Sequence, residues 1–72
     1  MQVFSGSQLR SRRETAGLTR EQVAVALGCS ASAVVSWELG YSRPRLVVIG
    51  RVAALLKCGI GDLFDEAGDG GG

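Results

Sequence analysis

Histidine is absent from this chain of 72 residues, and proline occurs once, at Pro44. Without histidine no Cys2His2 zinc site can form, and two thiols alone make a poor metal site. Cys29 and Cys58 are also too few for the disulfide framework of a small secreted scaffold, so they read as small buried apolar residues. The most apolar run, Leu46 to Leu56, contains Arg51 and falls well short of the ~20 residues that a membrane helix needs. Met1 to Ser7 has neither the charged start nor the apolar centre of a signal peptide. These absences predict a soluble, cytoplasmic protein. Neither a Walker glycine loop nor a metal cluster is visible, which argues against an enzyme, a bound metal or a cofactor. No small-molecule pocket is suggested. No stretch alternates with period two, so the predicted fold class is all-α.

Charge is present but unevenly placed. The formal net charge is only +1. Residues 1–61 hold all eight Lys and Arg against Glu14, Glu21 and Glu38, a balance of +5. Residues 62–72 hold Asp62, Asp65, Glu66 and Asp69, a balance of −4. A basic body with an acidic end fits a polyanion partner better than the total suggests.

Apolar residues recurring at helical spacing predict five short helices in one small domain over residues 7–64. Residues 1–6 read as a flexible lead and residues 65–72 as a disordered, acidic, Gly-rich tail. Ser7 is the expected cap of the first helix, which carries Leu9, Arg13 and Ala16 inward and ends before Gly17. Thr19-Arg-Glu-Gln22 is a capping box for a second helix that runs to Leu27 and closes on Gly28. Ser30 caps a third helix, which ends near Leu39 and Gly40. Pro44 leads into a fourth helix, Leu46 to Leu56, with Leu46, Ile49, Val52, Ala53 and Leu56 inward. A short fifth helix follows Gly59 and includes Ile60, Leu63 and Phe64.

The second and third helices meet across Gly28-Cys29-Ser30, a turn short enough to force a steep crossing. Close approach then needs a small residue, supplied by Ala24, and backbone freedom, supplied by Gly28. Val23, Leu27, Cys29, Val34 and Trp37 fill the junction. Those are the requirements of a DNA-binding helix-turn-helix. Arg20 to Leu39 resembles the helix-turn-helix of the lambda-repressor-like, Xre/Cro-type family. The likeness extends to Leu9-Arg10…Arg13…Ala16-Gly-Leu-Thr19, to Trp37-Glu-Leu-Gly…Arg43-Pro44, and to Val52-Ala53…Leu56…Asp62-Leu-Phe64. It departs at Lys57, where the family commonly has Gly, and at Leu39, where a polar or basic residue is usual.

The resemblance implies a buried structural pair between Arg13 and Glu38. It also implies that Arg20, at the start of the second helix, meets a DNA phosphate. Ser42, Arg43 and Arg45, just after the third helix, are further candidates for the DNA backbone, with solvated loop charge as the alternative for the arginines. At ~100° per residue, Val34 and Trp37 face inward, while Ser32, Val35 and Ser36 face out with Ala31 at the edge. Ala31, Ser32, Val35 and Ser36 are therefore the candidate base-facing residues. None is a long bidentate reader such as Arg or Gln. Methyl contacts to thymine, recognition of groove shape, or a protein-binding face formed by Val35 and Leu39 all remain open.

Val47, Val48, Ala54 and Leu55 add apolar surface to the fourth helix beyond its inner stripe. They are the candidate surface for a homodimer, the arrangement the resemblance also implies. The expected function is a sequence-specific regulator that occupies double-stranded operator DNA, in the manner of a repressor or Cro protein. The alternative is a protein-interaction module, antitoxin-like or anti-repressor, on the same scaffold.

Overall fold

The computed structural model describes residues 1–66. Four α-helices are present: α1 (Gly6–Thr15), α2 (Arg20–Leu27), α3 (Ala31–Leu39) and α4 (Leu46–Leu56). A single 3₁₀ turn, Ile60–Leu63, follows α4. Two short strands, β1 (Gln2–Phe4) and β2 (Phe64–Glu66), pair antiparallel, with Gln2 opposite Glu66 and Phe4 opposite Phe64. No single helix among the described residues is long and apolar enough to cross a membrane.

The sheet corrects three expectations. The fold is mostly helical rather than all-α. The fifth helix is one 3₁₀ turn, because Phe64 leaves it in an extended conformation to join β2. Residues 1–6 are not a free lead: β1 is held by β2, and the Phe4 and Phe64 rings meet edge to face at 6.1 Å. Of the expected acidic tail, Asp65 and Glu66 lie in β2, and residues 67–72 lie outside the described residues. Three of the acids are met by groups from the opposite end of the chain. Arg12 reaches Asp62 at 3.5 Å, the Gln8 side chain donates from Nε2 to Asp65 at 3.2 Å, and the Met1 ammonium donates to Glu66 at 2.9 Å. Exposed pairs of this kind contribute little each.

Ser5, not Ser7, caps α1. Its hydroxyl accepts from the Gln8 amide at 3.2 Å, and its own amide donates to the Leu63 carbonyl at 2.8 Å. The helix can start this early because residue 6 is glycine. A Cβ there would overlap the backbone oxygens of Trp37 and Glu38, so the start of α1 lies directly against the end of α3.

One core joins all the elements. Leu9 of α1, Val23, Ala24 and Leu27 of α2, Val34 of α3, four residues of α4 and Leu63 are buried together. The four from α4 are Ile49, Val52, Ala53 and Leu56. Leu46, expected inside, is exposed in the first turn, ahead of the core. Ile60 is exposed as well. Val48 and Leu55, expected on an outer dimer surface, instead pack against the core from the shoulders of the stripe. Leu55 borders a groove with Arg12, Thr15, Ala16 and Leu18. Val47 and Ala54 do stand outside, Val47 at 70% exposure.

Candidate nucleic-acid interface

The direction of α2 is set locally. Thr19 accepts from the Gln22 amide at 3.0 Å, and the Gln22 side chain accepts from the Thr19 amide at 2.8 Å. This reciprocal pair satisfies two donors that a helix start leaves open. Gly28 closes α2 at φ 74°, ψ 32°, in the left-handed region. Nothing crowds its missing side chain, so the backbone angle, and not space, is what requires glycine there. Ser30 then caps α3 by accepting from the Ala33 amide at 3.2 Å. Across this break the chain turns by 114°, within the ~90–120° of a helix-turn-helix.

A buried carboxylate fixes the geometry beneath the turn. Glu38 of α3 has a side chain 1% exposed and accepts from two arginines. Arg13 of α1 donates from Nε to Oε2 at 2.6 Å and from Nη2 to Oε1 at 3.3 Å. Its Nη1 donates to the Leu18 carbonyl at 2.9 Å. Arg20 of α2 donates from Nε to Glu38 Oε1 at 3.0 Å. Burial pushes the Glu38 carboxyl up, but the hydrogen bonds and charges of Arg13 and Arg20 outweigh it and hold it below the ordinary carboxylate range. Arg13 is raised, chiefly by its hydrogen bond to Glu38. Three helices are thereby joined at one side chain. Such an arrangement fixes relative placement more surely than it adds net stability.

The outer face of α3 is small, as its sequence requires. Ser32 is exposed, while Val35 and Ser36 are half-buried. Ser36 is already engaged, its hydroxyl 2.7 Å from that of Ser42. Ser42, expected at the DNA backbone, is thus bonded to Ser36 of α3. Ala31 differs from expectation: at the first position of α3 it is half-buried and packs against the core. Leu39, the last residue of α3 at 55% exposure, and Tyr41 beyond it are also exposed. Arg43 and Arg45 stand exposed on either side of buried Pro44. Trp37 packs on the core, as do half-buried Cys29 and Cys58; burial pushes the Cys58 thiol up.

Two features of this region escaped sequence reading. Arg20 was expected at a DNA phosphate, and its tie to Glu38, across eighteen residues, has no local signature. Tyr41 is exposed and was assigned no role, although Gly40 before it, the expected end of the third helix, marks where the chain leaves α3.

Comparison with known proteins agrees with this geometry. The family model described as "Helix-turn-helix domain" matches residues 6–67. A sequence comparison with curated proteins gives no match. Among solved structures, the restriction-modification controller protein C.AhdI from Aeromonas hydrophila is 34% identical. Its match covers 82% of this chain and 89% of that one, with a TM-score of 0.76. The hydroxypropylphosphonic acid epoxidase from S. wedmorenis is 33% identical over 88% of this chain, with a TM-score of 0.80. This chain spans about a third of that enzyme's length, 34%. The P22 c2 repressor, solved with a synthetic operator, shares the fold at 21% identity and a TM-score of 0.77, over 85% of this chain and 92% of its own. The capped, sharply turned α2–α3 pair and the model spanning nearly all of the described residues lead to one conclusion: the chain belongs to the helix-turn-helix domain family, in its lambda-repressor-like form.

Proposed function

We propose that this chain is a sequence-specific regulator that binds double-stranded operator DNA through α3. The observation that carries this reading is the outer face of α3, with Ser32, Val35 and Ser36, standing beside exposed Arg43 and Arg45 on a 114° helix-turn-helix. Likeness to a restriction-modification controller at 34% identity over most of both chains supports it. The small side chains let α3 sit deep in the major groove. There Val35 touches thymine methyls and the serines bond to bases or phosphates, while Arg43 and Arg45 hold the backbone. Two copies associating through the exposed Leu46, Val47 and Ala54 of α4 would present two reading helices to half-sites about one DNA turn apart.

The test is binding to fragments of the neighbouring upstream DNA at two salt concentrations, with random DNA as competitor. A salt-sensitive complex that survives competition is expected. Arg43→Ala should weaken all sequences alike, and Ser32→Ala should change the preference between them. No complex at low salt would sink the reading.

A second reading has its own support. Leu39, Val25 and Tyr41 are exposed around the helix-turn-helix, and the same fold occupies about a third of an epoxidase chain. A protein-binding module would bind through those apolar groups, and its complex would be far less sensitive to salt.

A further inference from the structure

The two arginines on Glu38 are held differently. Arg13 is 10% exposed and uses all three of its nitrogens, two on Glu38 and one on the Leu18 carbonyl. Each of its nitrogens is thus already engaged within the protein. Arg20 is 35% exposed and is attached through Nε alone. Among the described residues, neither of its terminal nitrogens has a protein partner. Two guanidinium groups share one carboxylate, and Arg20 is the more exposed of the two. Arg20 borders an open cleft of about 550 Å³ with Arg10, Arg13, Thr19, Glu14 and Glu21. Arg10 in that cleft is taken up by Glu14 at 3.1 Å.

A guanidinium is a rigid planar fork. Anchoring it at Nε fixes its plane and leaves the two terminal nitrogens as a preset pair of donors, the spacing that suits two oxygens of a phosphodiester. We propose that Glu38 is a positioning residue for DNA-backbone binding: it holds Arg20 by Nε so that the terminal nitrogens clamp a phosphate. This rests on the regulator reading above and deepens it. The carboxylate that joins α1 to α3 also orients a phosphate clamp on α2. Contact with the backbone is thereby coupled to the angle of the helix-turn-helix. Lysine cannot replace Arg20 here, because a single ammonium on a flexible stem has no planar fork to be oriented.

The experiment measures equilibrium binding of the full chain to the DNA selected in the competition assay, across a salt series. The proteins are the unaltered chain, Arg20→Ala, Arg20→Lys, Glu38→Gln and the double variant Arg20→Ala/Glu38→Gln. Thermal melts check that each is folded at the assay temperature. Arg20→Ala should lose about tenfold in affinity, the scale of one charge-assisted contact, and lower the salt slope by about one. Arg20→Lys should lose nearly as much in both measures, despite keeping its charge. Glu38→Gln should weaken binding in the unaltered background and have no further effect once Arg20 is alanine. Arg20→Lys leaves the Arg13–Glu38 pair in place, so it decides the matter even if Glu38→Gln does not fold. Wild-type affinity and slope in Arg20→Lys would overturn the inference alone, since charge without orientation would then suffice. An equal effect of Glu38→Gln with and without Arg20 would overturn it too. Failure of the unaltered chain to bind DNA at low salt would overturn the regulator reading, and this inference with it.

Discussion

The helices of the helix-turn-helix and the helix behind them are held by different means. Both α2 and α3 begin on a hydroxyl cap, Thr19 and Ser30, and both end on a left-handed glycine, Gly28 and Gly40. Helix α4 has neither. Arg45 offers no side-chain cap, and Lys57 closes the helix at φ 57°, a conformation that L side chains take at a cost of about 1–2 kcal/mol. Yet α4 buries four apolar residues, whereas α3 buries only Val34 and Glu38. Directional bonds set both ends of α2 and α3, with three buried apolar residues of α2 beside them, whereas α4 is held by burial without a side-chain cap. A reading surface needs a fixed angle, which caps and a buried ion pair supply. A support needs only to stay attached, so a strained end is tolerable there.

Removing Glu38 should break that contrast most severely. Glu38→Ala strands Arg13 in the interior, and thermal or denaturant unfolding should show a loss of about 3–5 kcal/mol. A much smaller loss would mean that Arg13 finds another partner and that the carboxylate does not set the geometry. The same group gives an acid limit. Its carboxyl lies lower in the folded chain than the ~4.3 of an unfolded glutamate, so its contribution is complete above that value. It is lost as pH falls through the lower, folded value. A stability profile from pH 6 downwards should fall in that acid window, and the part due to residue 38 should be missing in Glu38→Gln. Thr19→Ala removes one cap and should cost about 1 kcal/mol, read as a shift in unfolding midpoint. Lys57→Gly should act in the opposite direction. It relieves the left-handed strain at the end of α4 and should gain about 0.5–1 kcal/mol in the same measurement. If Lys57→Gly destabilised the protein, the end of α4 would not be the weak point that its angles indicate.

Sequence reading saw the interface better than the support, for a related reason. The ends of α2 and α3 are written within a few residues of where they act: Thr19 with Gln22, Ser30 with Ala33, Gly28 and Gly40 at the stops. Helical spacing likewise placed Val34 and Trp37 against the core and Ser32 outside. Three-residue strands are too short for alternation to show, and β1 depends on a partner some sixty residues away. Ser7 was the expected cap of α1. Only the closeness of the α3 backbone explains why glycine opens α1 and Ser5 caps it. Val48 and Leu55 read as surplus because a helical projection counts one stripe, whereas α4 is covered on its shoulders as well. The tie between Arg20 and Glu38 depends on the 114° turn itself, which had to be built before the two residues could meet.

The pairing of β1 with β2 has a consequence in time. It closes almost the whole described chain into a single loop, whereas the caps and the turn join near neighbours in sequence. Contacts that close long loops are gained late in folding, after the local ones have formed. Three residues on each strand hold that closure, so it is also the first to open. Amide hydrogens at Val3 and Asp65 should then exchange with solvent ahead of those in α2 and α3, by an opening that leaves the rest of the molecule folded. On this account the clasp of the two ends should be the last part of the molecule to arrive and the first to leave.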